Sequence, residues 1–357
     1  MQVNGNRVLT YADFIKGLDP KGNFVHRCIN MAVRANEMLD DITVVEANNG
    51  SALETTFRTE VQKPVWIQYY SGIPSNKGSK AKLKVSCGQM GTKITVAKLL
   101  FDKAAKKGAS YADELLADEI LSAQDGMRME MGNGLVYGLL SDNPLGFNGI
   151  HKHYDQYSTG AEDDRTSAHY VLNAFGAGNG ANKASEAKLG SIDLVGWSPN
   201  TITCFHSEGN ETGGISISPK KVVDVSDPSR GADATYEAYL QYMYWELGLA
   251  VRDFRYGGRI CNIQRDDMML GADKGAAYVE LIDRLSQRVH DNGVKQAFYM
   301  DKLMWENISV LYGRLTRSNA VSFAHVEGRK ERRLYGIPVR IQECMKVNEE
   351  KVPAFAA

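Results

Sequence analysis

Between Ser110 and Met131 apolar side chains recur every three or four residues. Ala112, Leu116, Ile120, Ala123, Met127 and Met131 share one face, so the spacing predicts a long amphipathic helix. At ~1.5 Å per residue it spans roughly 33 Å. Ser110 followed by Asp113 fits a capping box, and Gly108 interrupts the pattern just before it. Acids crowd the first half and Arg128 lies near the end, which suits the helix dipole. Such a stripe is a packing feature and carries no chemistry by itself.

From Thr55 to Val96 the period changes to two. TTFRTEVQKPVWIQYY predicts a strand, with Pro64 marking it as an edge, and SGIPSNKGS predicts a loose tip. KAKLKVSCGQMGTKITV resumes alternation: Lys80, Lys82 and Lys84 face one side, and Ala81, Leu83 and Val85 the other. A long hairpin follows, and a hairpin of that length needs something to lie on.

Before it, Phe24, Cys28, Met31, Ala35 and Met38 stand at helical spacing in an N-terminal arm that packs on its own core or on a neighbouring subunit. After the long helix, Gly132, Gly134, Gly138, Gly146 and Gly149 predict turns and close backbone approaches. IDLVGWSPNTITCFH gives two short strands around Ser198-Pro199. GISISPKKVVDV alternates, and EAYLQYMYWELGLAVRDFRYGGRICNI reads as two strands parted at Gly248. A second amphipathic helix ends at Gly293, a third begins near Phe298, and the tail forms a hairpin turning at GRKER. Strands in runs rather than βαβ alternation predict an α+β class.

Composition adds little to this pattern. The 357 residues carry a net charge of −1, so no global basic field exists to grip nucleic acid. No apolar run reaches the ~20 residues of a membrane helix, and none at the start resembles a signal peptide. Cys28, Cys87, Cys204, Cys261 and Cys344 are scattered without a CxxC pair, which argues for reduced thiols rather than a zinc site or disulfide framework.

Candidate chemistry is thin. GAGNGAN (176–182) lacks the GK[ST] of a phosphate loop and reads as a surface loop. His151 and His153 would share a strand face but have no third metal ligand at useful spacing. Asp224, Asp227 and Asp233 suit turn capping better than calcium. Tyr236, Tyr239, Tyr242, Tyr244 and Trp245 lack a basic groove and suit a packed sheet face better than base stacking. No catalytic, cofactor or metal residue is assigned. A hydrolase or lyase with an unrecognised site, or a carbohydrate binder using surface aromatics, are the alternatives to a protein that works by contacting others.

The order of these parts resembles the major capsid proteins of tailed DNA bacteriophages, with the Hong Kong 97-type fold. The nearest likeness is to the coat proteins of epsilon-fifteen-like short-tailed phages. The residues that carry it are MGNGLVYG and GFNGI after the long helix, SIDLVGWSPNTITCFH, YWELGLAVRDFRYGGRICNI and the C-terminal YGIPVRI. The resemblance implies an N-terminal arm (1–54), an extended loop (55–96) and a peripheral domain with its spine helix (97–134). An axial domain (135–318) and a C-terminal return to the peripheral domain (319–357) complete it. Residues 132–138 would be the exit from the spine.

It also implies a virion shell of hexamers and pentamers around double-stranded DNA, made in the host bacterial cytoplasm. A scaffolding protein, a portal and a decoration protein are the implied partners, with no membrane and no catalysis. The extended loop would lie across a neighbour near its spine helix. There the lysine face of Lys80, Lys82 and Lys84 would meet Asp113, Glu114, Asp118 and Glu119.

Overall fold

The computed structural model describes residues 36–107, 109–158, 166–175, 188–209, 214–226, 234–265, 272–315, 320–326, 329–346 and 348–355. The expected N-terminal helix before residue 36, the loop 176–182, Asp227 and Asp233 lie outside the described residues. The first elements are α1 (Met38–Asp41), β1 (Val44–Glu46), β2 (Ala52–Arg58), β3 (Lys80–Ser86) and β4 (Gly88–Ala97). Helices α2 (Lys98–Lys107), α3 (Ala109–Tyr137) and the short α4 (Ile150–His153) follow. Then come β5 (Val171–Asn173), β6 (Leu189–Trp197), β7 (Ile202–His206), β8 (Ser216–Ile217), β9 (Lys221–Ser226) and β10 (Thr235–Val251). The chain finishes with β11 (Gly257–Gln264), α5 (Ala272–Arg288), β12 (Lys295–Met300) and α6 (Lys302–Arg314). Strands β13 (Val321–Val326), β14 (Arg329–Leu334) and β15 (Ile337–Ile341) close it.

Two compact units arise. Gln89–Met131 and Gly214–Glu246 cluster in one; Ala35–Gly88, Gly132–Gly213 and Leu247–Ala357 cluster in the other. In the first unit the predicted stripe is the buried face of α3: Leu116, Met127 and Met131 are buried. Each such side chain contributes about 1.5–3 kcal/mol on burial. Strand β10 pairs antiparallel with β9 from Thr235↔Ser226 to Leu240↔Lys221, and with β8 at Met243↔Ile217. Between these pairs Gln241 and Tyr242 oppose Ser218, Pro219 and Lys220, a β-bulge on the partner strand. Pro219 has no N–H to offer the ladder there. Ser218 spans the irregularity, donating from its N–H to Tyr242 O at 2.8 Å and accepting at Oγ from Tyr242 N at 2.8 Å.

The second unit is a mixed sheet in the order β13-β14-β15-β12-β6-β7-β10, with β11 pairing β6 and β5. Its strands β6 and β11 are buried along their whole length. The Asp41 carboxylate, buried, accepts from Arg340 Nε at 2.8 Å, Lys295 Nζ at 2.8 Å and Tyr299 OH at 3.2 Å. That buried acid ties α1 to β12 and β15. Strands β14 and β15 turn on Tyr335 (φ 54°) and Gly336 (φ 81°), the left-handed pair of a two-residue hairpin.

Several expectations are corrected. Helix α3 has 29 residues and continues through Gly132 and Gly134 to Tyr137, so these glycines are inside the helix. Packing explains Gly132 and Gly138: a Cβ on Gly132 would run into the Asn36 amide, and one on Gly138 into the Phe147 and Gly134 carbonyls. Gly149 N donates to Gly138 O at 2.8 Å, so helix end and returning loop meet backbone to backbone. Ser110 lies within the helix rather than capping it, because α2 runs up to Lys107 and α3 starts at Ala109.

Gly248 lies inside the single 17-residue β10 and not between two strands. The Phe205 ring occupies the space a side chain would fill, 2.5 Å from a Cβ built there. Helix α5 stops at Arg288, and Gly293 (φ 68°) serves the turn beyond it. Arg329–Arg332 belong to β14 rather than to a turn. His151 and His153 sit on α4, so they share no strand face.

Candidate functional site

The hairpin of β2 and β3 belongs to the second unit. Its register sets Glu54 opposite Lys84, Thr56 opposite Lys82 and Arg58 opposite Lys80. Lys80, Lys82 and Lys84 are all exposed on one face, and Ala81, Leu83 and Val85 alternate half-buried behind them. The apolar face roots the hairpin: Val85 and Cys87 pack on Leu53, Ala47, Phe205 and Ala250. Lys84 Nζ lies 3.4 Å from Glu54 Oε1, a cross-strand contact that takes one lysine into the hairpin itself. The Glu54 carboxyl is held below the usual glutamate range by the Asn49 amide first and by Lys84 second. Lys80, Lys82 and Arg58 make no ion pair among the described residues, and like charges facing across strands repel.

Regular pairing ends at Arg58, so Pro64 is in no strand and residues 59–79 form a long non-regular loop. Its two limbs stay close without a ladder. Thr59 N donates to Ser79 O at 3.1 Å, and Asn76 Nδ2 to Lys63 O at 2.6 Å. Trp66 (101% exposed), Tyr69 (97%) and Tyr70 (109%) project wholly into solvent, beside exposed Val61 and Ile73. The alternating reading of this stretch concealed them. The available signal was the run Val65-Trp66-Ile67 followed by Tyr69-Tyr70, too apolar for an edge strand with one wet face.

The acidic set lies in the first unit, near the start of α3. Asp113 is exposed; Glu114, Asp118 and Glu119 are half-buried. The aromatic run on β10 is divided by its surroundings. Tyr239 packs on Phe101 with centroids 4.6 Å apart, Trp245 is buried, and Tyr242 and Tyr244 are exposed and stacked at 6.1 Å. Asp224 sits on β9.

A buried polar cluster in the second unit had no signature in the sequence. Glu349 accepts from Tyr137 OH at 2.6 Å, from Arg259 Nη2 at 2.9 Å and from Ser191 Oγ. His151 Nε2 lies 2.8 Å from Asp193 Oδ2. Burial pushes the Glu349 carboxyl up, but His151 and Arg259, with the Ser191 and Tyr137 donors, bring it below the ordinary range. Among the described residues no three His, Cys, Asp or Glu side chains converge as a metal ligand set, and no helix is long and apolar enough to cross a membrane.

Comparison with known proteins adds the family. Residues 19–353 match the family model described as major capsid protein GP7. No curated protein matches the chain. Among solved structures, a chain of bacteriophage epsilon15 superposes with a TM-score of 0.72 at 22% identity, covering 99% of both chains. The bacteriophage JBD30 capsid gives 0.46 at 10% identity, over 95% of this chain and 99% of that one. The capsid of a native GTA particle gives 0.43 at 11%, over 69% and 96%.

The epsilon15 likeness carries the fold, which is α+β and of the Hong Kong 97 type. The family match runs from ahead of the described residues almost to the C-terminus. The chain belongs to the major capsid protein GP7 family and is a coat protein of a phage head shell.

Proposed function

We propose that copies of this chain form the hexamers and pentamers of an icosahedral head enclosing double-stranded DNA, with the projecting hairpin as a principal contact between neighbours. The observation that supports this is the complete exposure of Trp66, Tyr69 and Tyr70 on one loop. Apolar side chains grouped in this way mark an interaction surface. Each aromatic covered by a neighbour removes 150–250 Å² from water.

In this reading residues 97–134 with the spine helix are the peripheral domain, 135–318 the axial domain and 319–357 the return to the peripheral domain. The contact pairs the basic hairpin face with the acidic start of a neighbour's α3, Asp113, Glu114 and Asp118. Lys80 and Lys82, joined by Arg58, are the donors of that contact, since Lys84 is engaged with Glu54. Each exposed pair contributes only ~0.2–1 kcal/mol, repeated at every equivalent position of a shell. A net charge of −1 supports a wall that contains DNA without gripping it. A scaffolding protein, a portal and a decoration protein complete the particle, which is built in the host bacterial cytoplasm. The subunit works through interfaces and has no catalytic role.

The test is assembly. Purified chain, with and without a co-expressed scaffold, is sedimented and imaged by electron microscopy. Closed shells or sheets of hexamers are expected; a compact monomer or dimer under every salt and scaffold condition contradicts the proposal.

A further inference from the structure

The C-terminal residues 346 and 348–355 lie on the second unit with one bridging residue, Ala354, and no regular strand. Its hold on the unit is mostly polar. Of its described side chains Val352 and Glu349 are buried, whereas Lys346, Glu350, Lys351 and Phe355 are exposed. Backbone bonds fasten it to Leu189 (Glu349 N to Leu189 O, 2.9 Å) and to Tyr157 (Tyr157 N to Pro353 O, 3.2 Å; Phe355 N to Tyr157 O, 2.8 Å), and three side-chain sets add to them. At its start, Lys346 N donates to Tyr137 OH at 2.7 Å, and the Lys346 ammonium lies 4.8 Å from the Tyr137 ring centroid. In the middle, the Glu349 side chain, 5% exposed, reaches Tyr137, Ser191 and Arg259. Near its end, Asn262 grips both polar groups of Val352, accepting from its N–H at 2.8 Å and donating to its carbonyl at 3.1 Å. Asn262 does so from a left-handed conformation, φ 59°, which few non-glycine residues adopt without a reason.

The Glu349 contact joins the end of α3 to the paired strands β6 and β11, adding to the Gly149–Gly138 backbone bond and the Tyr137–His151 ring contact that also hold that end. Tyr137 is the last residue of α3, Ser191 is on β6 and Arg259 is on β11. Arg259 is 4% exposed, and its remaining donors go to Ser191 Oγ and the Tyr154 carbonyl. A buried guanidinium makes removal of its carboxylate costly. The segment around that carboxylate nevertheless buries little apolar surface, and such segments open below the free energy of global unfolding.

We propose that 346–355 is a detachable strap: when docked, Glu349 locks the last turn of α3 to β6 and β11, and when released it frees that turn while the sheet stays folded. Asn262 holds the strap at Val352, next to the Tyr157 backbone bonds at its end, and does not touch α3. The two anchors therefore make separable predictions.

The experiment is hydrogen exchange on the full chain, read by peptide, for wild type, E349A, E349Q and N262A. In E349A, exchange is expected to rise at least tenfold in 132–138 and in 346–355, with β12 unchanged. In N262A the rise is confined to 350–355. E349Q keeps the size and an acceptor for Tyr137 but loses the charge facing Arg259. It gives a smaller rise in the same two segments and serves if E349A does not fold. Wild-type protection of 132–138 in both Glu349 variants overturns the proposal. So does a rise that extends equally to β12, which makes Glu349 an ordinary core residue.

Discussion

Lys84 stands directly across the hairpin from Glu54, Nζ to Oε1 at 3.4 Å, while its neighbour Lys80 stands across from Arg58. One face of one hairpin thus holds a satisfied charge at its root and two facing cations toward its far end. The lysines are not equivalent, although alternation makes them look so. The end facing Arg58 has the stronger need for an acidic partner.

Charge reversal separates these roles. Lys80→Glu with Lys82→Glu should lower assembly yield at low salt, and added salt should shrink the difference from wild type. Lys84→Glu should instead loosen the hairpin root by placing two acids face to face. Adding Asp113→Lys, Glu114→Lys and Asp118→Lys to the double reversal should restore part of the yield, read by sedimentation. Normal assembly of the double reversal at low salt contradicts the contact.

Trp66 reports on the loop. It is fully exposed, whereas Trp197, Trp245 and Trp305 are buried. Its emission should shift to the blue on assembly, and cleavage at Lys77 and Lys80 should be suppressed in particles. Equal emission and equal cutting in both states argue against the loop being an intersubunit contact.

Two glycines near the end of α3 should respond in opposite directions. Gly126 is helical, exposed and has nothing within 4 Å of a Cβ, so Gly126→Ala should stabilise by about 0.5–1 kcal/mol. Gly138→Ala drives a methyl into two backbone carbonyls that cannot turn aside, and should cost about 1–3 kcal/mol. Urea midpoints of the unassembled subunit measure both.

Acid should loosen the Glu349 cluster. Its folded carboxyl lies below the ordinary glutamate value of 4.5, so its contribution is complete above that pH and is lost as pH falls through the folded value. Urea midpoints taken across roughly pH 3 to 6 should fall more steeply for wild type than for E349Q. Parallel curves would remove Glu349 from the account of acid sensitivity.

Local periodicity made the stripe of α3 and the alternation of 80–86 legible, because each records a single buried face. It failed where burial comes from distant parts of the chain. Gly132 read as a turn because Asn36, which fills its space, is far away in sequence. The break between β10 and β11 read at Gly248 rather than after Val251, because Phe205 takes the place of a side chain there. Helix α2 went unread, its KLLFDKAAKK standing between stronger patterns. Glu349 sits 212 residues from Tyr137 and 90 from Arg259, so no window of sequence contains the cluster. Trp66, Tyr69 and Tyr70 were hidden for the reverse reason: they are fully exposed, and the contact proposed for them is with another copy.

The central claim is that the loop 59–79 joins one copy of this coat protein to the next. The most direct measurement is assembly of a variant with Trp66, Tyr69 and Tyr70 all changed to Ser, sedimented beside wild type after both are shown to have the same urea midpoint. The account predicts a folded subunit that stays small where wild type forms shells. Wild-type shell yield from the triple variant would contradict it.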